Sequence, residues 1–278
     1  MNAQDSTAFE ARDAIMFPPP APVILKSYAT IPTPVGSNLR LSGNWTLEAW
    51  VKPVQATSQH HIIETYNTNG NFGGFVLRIS NGKVRAYQIR SQSTNYSDVI
   101  GTTTLTAGDW VHIAATLDET TQQLKVYLNG VIEDSTTTTI TTLNLNNTLN
   151  IGARGDDNNV SGEVTIDNVR IWDFAKTEAQ IQADTLACLT GNETGLLAWY
   201  DFEGVTNSTL EDKSSNNNDG TFENYDQQNF SSRIYTCHPI VSTYVSEYKG
   251  KNIAVYPNPT SAQITINTTD RIINVNIL

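Results

Sequence analysis

The chain has 278 residues, of which 38% are hydrophobic and 16% charged, and its net charge is −11. That length accommodates one all-β domain of about 200 residues plus a smaller unit. The acidic balance argues against a nucleic-acid partner or an anionic membrane surface, since both require clustered Lys and Arg.

No apolar run reaches the roughly 18 residues that a membrane span needs. The first twenty residues, "MNAQDSTAFEARDAIMFPPP", lack the basic start and apolar stretch of a secretory signal. Residues 1–22 read as an extended, proline-containing leader with no packing of its own.

From residue 23 the pattern is β throughout. "NWTLEAWVKP" alternates, with Trp45, Leu47, Ala49 and Val51 on one face and Thr46, Glu48, Trp50 and Lys52 on the other. "GGFVLRISNGKVRAYQIR" predicts a hairpin turning at Asn81-Gly82, a pair that tolerates positive φ. "DWVHIAATLD" and "LKVYLNGVIED" predict a second pair across "DETTQQ", with a tight turn at Asn129-Gly130. "TLNIGARG" and "EVTIDNVRIWDF" continue the series. One helix is expected in "AKTEAQIQADTLA", where Thr177 and Gln180 form a capping box and Ala179, Ile181 and Leu186 are apolar. "GLLAWYDFEG" then reads as a buried strand, followed by the polar loop "EDKSSNNNDG" and a linker over residues 241–252. Many short strands between turn signals predict a sandwich or barrel.

Four blocks also resemble, in order and spacing, a laminin-G-like domain of the concanavalin A-like lectin/glucanase superfamily. They are "WTLEAWVKP", "GDWVHIAATLDETTQQLKVYLNG", "IDNVRIWDFAKTEAQI" and "GLLAWYDFEG…LEDKSSNNNDGTF". In many relatives the Trp-Tyr-x-Phe block opens the domain, whereas here it closes it. Chain ends of a sandwich commonly lie close together, so the fold tolerates that change. The resemblance implies an all-β fold: two antiparallel sheets packed as a jelly-roll over residues 23–240, with one short helix.

Some members of that superfamily are glucanases, which set two carboxylates across a sugar. Their Glu-x-Asp-x-x-Glu or Glu-x-Asp-x-Glu string is missing; the nearest pair is Glu163 and Asp167 in "GEVTIDN". His112, mid-strand in "WVHIAATL", is expected to be packed or hydrogen-bonded, while His60 and His61, placed in a loop, and His238 show no ligand spacing. No enzyme activity is expected.

Two loops concentrate oxygen donors, "RGDDNNVSGE" and "LEDKSSNNNDG", which serve either as turn formers or as a calcium site. Related lectin domains often carry one rim calcium, and the resemblance makes Asp212, Asp219 and Asp167 the candidate Ca2+ ligands. Sugar binding requires aromatic platforms, for which Tyr66, Phe72, Tyr87, Tyr96 and Trp50 are the candidates. Trp45, Trp110, Trp172 and Trp199 are expected in the core. The two cysteines, Cys188 and Cys237, fit one structural disulfide in an oxidising compartment or two buried thiols, and the disulfide is expected.

Residues 253–278 start a new alternating run after the linker, and Pro257 and Pro259 exclude it from a central strand of the sandwich. "VYPNPTSAQITIN" resembles the opening of the type A C-terminal sorting domain of the type IX secretion system of Bacteroidetes, with Ala262 in place of the usual Gly or Asp. That module runs on for further strands, so only its start is expected here. The resemblance implies a secreted or outer-surface protein, handled by the type IX machinery. The expected function is non-catalytic binding of a glycan or a cell-surface protein. The alternatives are a structural or adhesive spacer, or an accessory domain of a polysaccharide-degrading enzyme.

Overall fold

The computed structural model describes residues 12–17, 28–54, 59–65, 73–89, 96–138, 148–154, 164–203, 205–224, 230–233, 255–257 and 264–266. In chain order the first strands are β1 (Arg12–Phe17), β2 (Tyr28–Ile31), β3 (Trp45–Pro53), β4 (His60–Glu64), β5 (Gly74–Ser80) and β6 (Lys83–Ile89). There follow β7 (Tyr96–Ile100), β8 (Val111–Asp118), β9 (Gln123–Leu128), β10 (Val131–Thr137), β11 (Leu149–Ile151) and β12 (Val164–Trp172). Helix α1 (Glu178–Asp184) precedes β13 (Leu196–Tyr200), β14 (Thr209–Leu210), β15 (Gly220–Glu223), β16 (Phe230–Arg233), β17 (Val255–Pro257) and β18 (Ile264–Ile266).

Two antiparallel sheets form the sandwich. The first runs β10-β9-β8-β3-β12-β1-β16, with β13 also paired to β12; the second runs β14-β15-β2-β11-β4-β5-β6-β7. Strand β12 divides one edge between two neighbours: β1 pairs with its first residues and β13 with Val169–Trp172. The division falls at a bulge, where Asn168 takes φ 49° and the register against β3 shifts.

The expected turns form. Asn81 and Gly82 adopt φ 51° and 75° between β5 and β6, and Asn129 and Gly130 adopt 49° and 82° between β9 and β10. Positive φ at both central residues matches the twist of the flanking strands. Helix α1 starts at N-cap Thr177, with both capping-box bonds to Gln180 present. Its Ile181 is buried, while Leu186 beyond it is exposed.

Trp45, Leu47, Ala49 and Val51 lie in one core with Phe75, Leu77, Ile113 and Ile166. Burying a side chain such as Leu47 or Val51 stabilises the fold by about 1.5–3 kcal/mol. Three sequence expectations change. The opposite face of β3 is not solvated at its start, because Thr46 and Glu48 are also fully buried. His60 and His61, placed in a loop by composition, open strand β4. Inside the supposed leader, residues 12–17 form a strand between β12 and β16, since "RDAIMF" is apolar enough to pair ahead of the prolines.

Two compact units are distinguished, Glu10–Cys237 and a second made of Met1–Phe9 with His238–Leu278. In the second, β17 and β18 pair antiparallel as a two-stranded sheet, with Pro257 ending β17. The linker over residues 241–252 lies outside the described residues, as does the "TDRIINVNIL" run.

Candidate functional site: the outer face of the second sheet

Strands β4 to β7 build this face, by alternation along β5 and β6 and, on β4, by a bulge between His61 and Ile63 that brings His61 and Glu64 to the same side. Phe75, Leu77 and Ile79 enter the core, so Val76 and Arg78 project from the other side of β5. Register places Arg78 between His61 on β4 and Arg85 on β6, and Val76 between Glu64 and Tyr87. Asn150 on β11 is the next neighbour of Glu64. An outward-facing row of this kind is normally solvated. Here Glu64 is 0%, His61 3%, Tyr87 6% and Arg78 9% exposed.

The charges on this face differ in how far they are satisfied. Arg85 donates through Nε and Nη2 to the two oxygens of Asp98 at 2.8 and 2.5 Å. Those bonds raise the Arg85 pKa above its ordinary value, against the opposing effect of burial. His61 Nδ1 lies 2.6 Å from Glu64 Oε2, while Glu64 Oε1 is buried with no hydrogen-bond partner. Arg78 places its guanidinium carbon 4.7 Å from the centre of the Tyr87 ring, and Arg85 lies 5.5 Å from it. Among the described residues Arg78 makes no hydrogen bond or ion pair, and its buried Nε has no acceptor.

The expected aromatic platforms are not gathered into one site. Tyr87 and Tyr96 stand on neighbouring strands, Tyr96 being 54% exposed opposite Ile89. Tyr87 is not an open platform, because its ring is enclosed with two guanidinium groups close by. Trp50 belongs to the other sheet, half-buried beside His112 with ring centres 5.6 Å apart. Tyr66 and Phe72 lie outside the described residues. Of the tryptophans assigned to packing, Trp45 and Trp172 are buried, whereas Trp110 and Trp199 remain partly exposed.

On the outer face of the first sheet, α1 and the turn before it cover a buried ionic cluster. Lys176 Nζ sits 3.4 Å from Glu48 Oε1 and bonds Asp184, and Trp172 Nε1 donates to Glu48 Oε1 at 2.5 Å. His112 Nε2 lies 3.2 Å from Glu48 Oε2. Burial alone would raise the Glu48 pKa, but His112, Lys176 and Arg170 together bring it down to about 2. Burial and the nearby Glu48 charge push Asp184 up to about 6, despite Lys176. Desolvation lowers His112, outweighing its attraction to Glu48. A split pair of carboxylates is the pattern of a general acid and its partner. Glu48 is fully buried, however, and no substrate reaches it. The cluster fastens α1 to the sheet, and His112 is the packed strand histidine the sequence predicts. Of the acidic pair nearest to a glucanase string, Asp167 is 1% exposed and Glu163 lies outside the described residues.

The "LEDKSSNNNDG" loop is organised by Asp212. Its Oδ1 accepts from the amides of Trp199 and Ser214, and its Oδ2 from Ser214 Oγ and the Asn218 amide, all at 2.8–2.9 Å. The Asp212 amide in turn donates to Asp219 Oδ1 at 2.9 Å, and the Tyr200 hydroxyl donates to Asn218 O at 2.7 Å. Two of the three candidate calcium ligands, Asp212 and Asp167, are already engaged by donors of the protein itself. A carboxylate offers about four acceptor sites, and those of Asp212 go to its own loop. Asp167 is buried on β12 with Oδ1 bonded to Asn168 Nδ2. Among the described residues no three His, Cys, Asp or Glu side chains stand where they could hold a metal ion. Asp156 and Asp157 lie outside the described residues. Beside the loop a pocket of ≈ 400 Å³ is lined by Asp201, Glu203, Glu211, Lys213 and Asp219, with Lys213 bonded to Glu211 at 2.5 Å.

No described cysteine is a free thiol, and Cys237, the expected partner of Cys188, lies outside the described residues. No described helix is long and apolar enough to cross a membrane.

His61, Glu64, Arg78, Arg85 and Asp98 escape the sequence reading. In "FVLRIS" an outward Arg looks solvated, and only its position between two buried strands makes it notable.

Residues 25–182 match a laminin-G family model described as the concanavalin A-like lectin/glucanases superfamily. No curated protein matches the sequence. Among solved structures, a Bacteroides ovatus ATCC 8483 protein with the provisional description carbohydrate binding protein is similar at TM-score 0.62 and 19% identity. The match covers 82% of this chain and 62% of that one, so the chain spans under two thirds of its length. The CBM40 of the Ruminococcus gnavus IT-sialidase, solved with α2,3-sialyllactose, is similar at TM-score 0.51 and 12% identity. That match covers 62% of this chain and 97% of the other. These likenesses establish the sandwich fold.

Proposed function

The chain belongs to the concanavalin A-like lectin/glucanases superfamily, and we propose that its sandwich is a non-catalytic glycan-binding module. We place the binding surface on the outer face of β4–β7. The observation that carries this reading is the enclosed polar face itself, where Glu64 Oε1 and Arg78 Nε are buried without partners. Buried polar atoms are nearly always paired, and leaving one unpaired costs about 1–3 kcal/mol. A ligand oxygen acceptor that meets the Arg78 guanidinium, which keeps 9% exposure, offsets part of that penalty. The carbohydrate-related descriptions of the two similar structures agree with it.

The test is a glycan array probed with the full chain, with and without EDTA, alongside Tyr96→Ala. Tyr96 is exposed at the rim of this face, so its truncation weakens retention without unfolding the sandwich. Retention by no glycan would favour a spacer role. Release of new reducing ends from a bound glycan would overturn the non-catalytic reading. Retention that EDTA abolishes would bring calcium back.

We further infer that residues 253–278 direct export through the type IX machinery to the outside of the cell, on the strength of the "VYPNPTSAQITIN" resemblance. Deleting them in a host with that machinery should trap the protein inside, and unchanged export would refute the assignment.

A further inference from the structure

We propose that the β4–β7 face selects acidic sugars, with Arg78 as the group that receives a singly charged oxyanion, a carboxylate or a sulfate ester. This inference rests on the glycan-binding reading and narrows its ligand class.

The two arginines of the face stand in contrast. Arg85 is neutralised by the two-pronged contact with Asp98, at 2.8 and 2.5 Å. Arg78, directly across the strand pair, has only the Tyr87 ring at 4.7 Å. Glu64, the other carboxylate of the face, is taken by His61 Nδ1 at 2.6 Å and forms no ion pair with Arg78. A guanidinium does not relieve its burial by losing its proton, unlike an amine or an imidazole. Arg78 Nε is buried without an acceptor and no carboxylate of the described residues neutralises it, an arrangement that an anion from outside completes.

The geometry sets what that anion looks like. Tyr87 lies against the guanidinium of Arg78 and restricts its orientation. A planar fork held in this way matches an oxygen pair on one acidic group. Next to it Glu64, 0% exposed and held by His61, backs the face without touching the ligand. A neutral sugar would leave Arg78 uncompensated. A polyanionic nucleic acid is disfavoured by the net charge of −11.

The experiment compares oligosaccharides ending in a uronic acid, a sialic acid or a sulfated sugar with their carboxyl-reduced or desulfated counterparts, on the full chain. Acidic forms should bind at least about tenfold more tightly than their neutral partners, a gap that one charge-assisted contact supplies. Arg78→Gln should remove that preference, and Arg78→Lys should restore part of it. The carboxyl-reduced and desulfated arms need no variant, so they stand even if Arg78→Gln fails to fold. The carboxylate and sulfate arms tell the two anions apart. Equal binding of acidic and neutral forms overturns the inference and leaves glycan binding intact, whereas retention of none overturns both.

Discussion

Lys176 Nζ lies 3.4 Å from Glu48 Oε1, a carboxylate 128 residues earlier in the chain, and 3.2 Å from the centre of the Trp172 ring. This contact joins the segment after β12 to the middle of β3 and brings α1 down on the first sheet. Lys176→Met leaves Glu48 and Asp184 buried without their shared cation. Removing one partner of a buried pair costs about 3–5 kcal/mol. Urea unfolding should show a lower midpoint by that amount; a change under 1 kcal/mol would mean that the cluster is solvated.

The same carboxylates give stability a definite pH dependence. Glu48, lowered to about 2 from 4.5, stabilises the fold above the unfolded value, and that contribution is lost as pH falls toward 2. Asp184, raised from 3.8 to about 6, acts in the opposite sense: its contribution is complete below 3.8 and is lost as pH rises through 6. Together they favour a stability maximum between about pH 4 and 5. Thermal melts from pH 3 to 7 should show it, and Asp184→Asn should flatten the limb between pH 4 and 6. An unaltered limb in that variant contradicts the assignment.

Asp212 holds the β13–β15 connection through bonds to Trp199, Ser214 and Asn218. Asp212→Ala removes all of them and should cost at least about 3 kcal/mol, with hydrogen exchange accelerating first at the Trp199 and Asn218 amides. Asp212→Asn, which keeps one carbonyl acceptor, should cost less. Since the loop closes on its own donors, EDTA should leave the melting temperature of the full chain unchanged. A fall of several degrees would show that calcium holds this loop after all.

Gly191 has φ 85°, and a Cβ placed there would come 2.1 Å from the Lys213 carbonyl oxygen. Gly191→Ala therefore meets both left-handed strain and a backbone clash, and should destabilise the domain by at least about 2 kcal/mol. Gly108, with φ 86° and open space around it, is the control: Gly108→Ala should cost only the strain. Equal effects at the two sites would remove the close approach as the reason.

A disulfide between Cys188 and Cys237 should leave the mass unchanged after alkylation under denaturing, non-reducing conditions. Two alkylated thiols would exclude it.

Much of the fold was legible because it rests on local chemistry. Asn81-Gly82 and Asn129-Gly130 mark their turns through a conformation few other residue pairs accept. Thr177 and Gln180 announce the helix by satisfying each other's amides. Trp45, Leu47, Ala49 and Val51 identify the buried face of β3 through period-two alternation. The candidate site was legible only in part. Tyr87 and Tyr96 do share a sheet face, but Trp50 does not, and an aromatic side chain looks alike in sequence whether its ring is open or enclosed by arginines.

By itself, then, the sequence determined the turns, the helix cap, the inward apolar rows and hence the two-sheet class, all of which depend on residues near one another in the chain. Tertiary structure alone decided which outward rows stay wet. Glu48 is buried because residues 176–184 return to cover it, and Arg78 stands between His61 and Arg85 with no carboxylate across from it. Whether a charge is solvated, paired or left for a ligand depends on what lies across from it, and that is a property of register and packing rather than of the residue or its sequence neighbours.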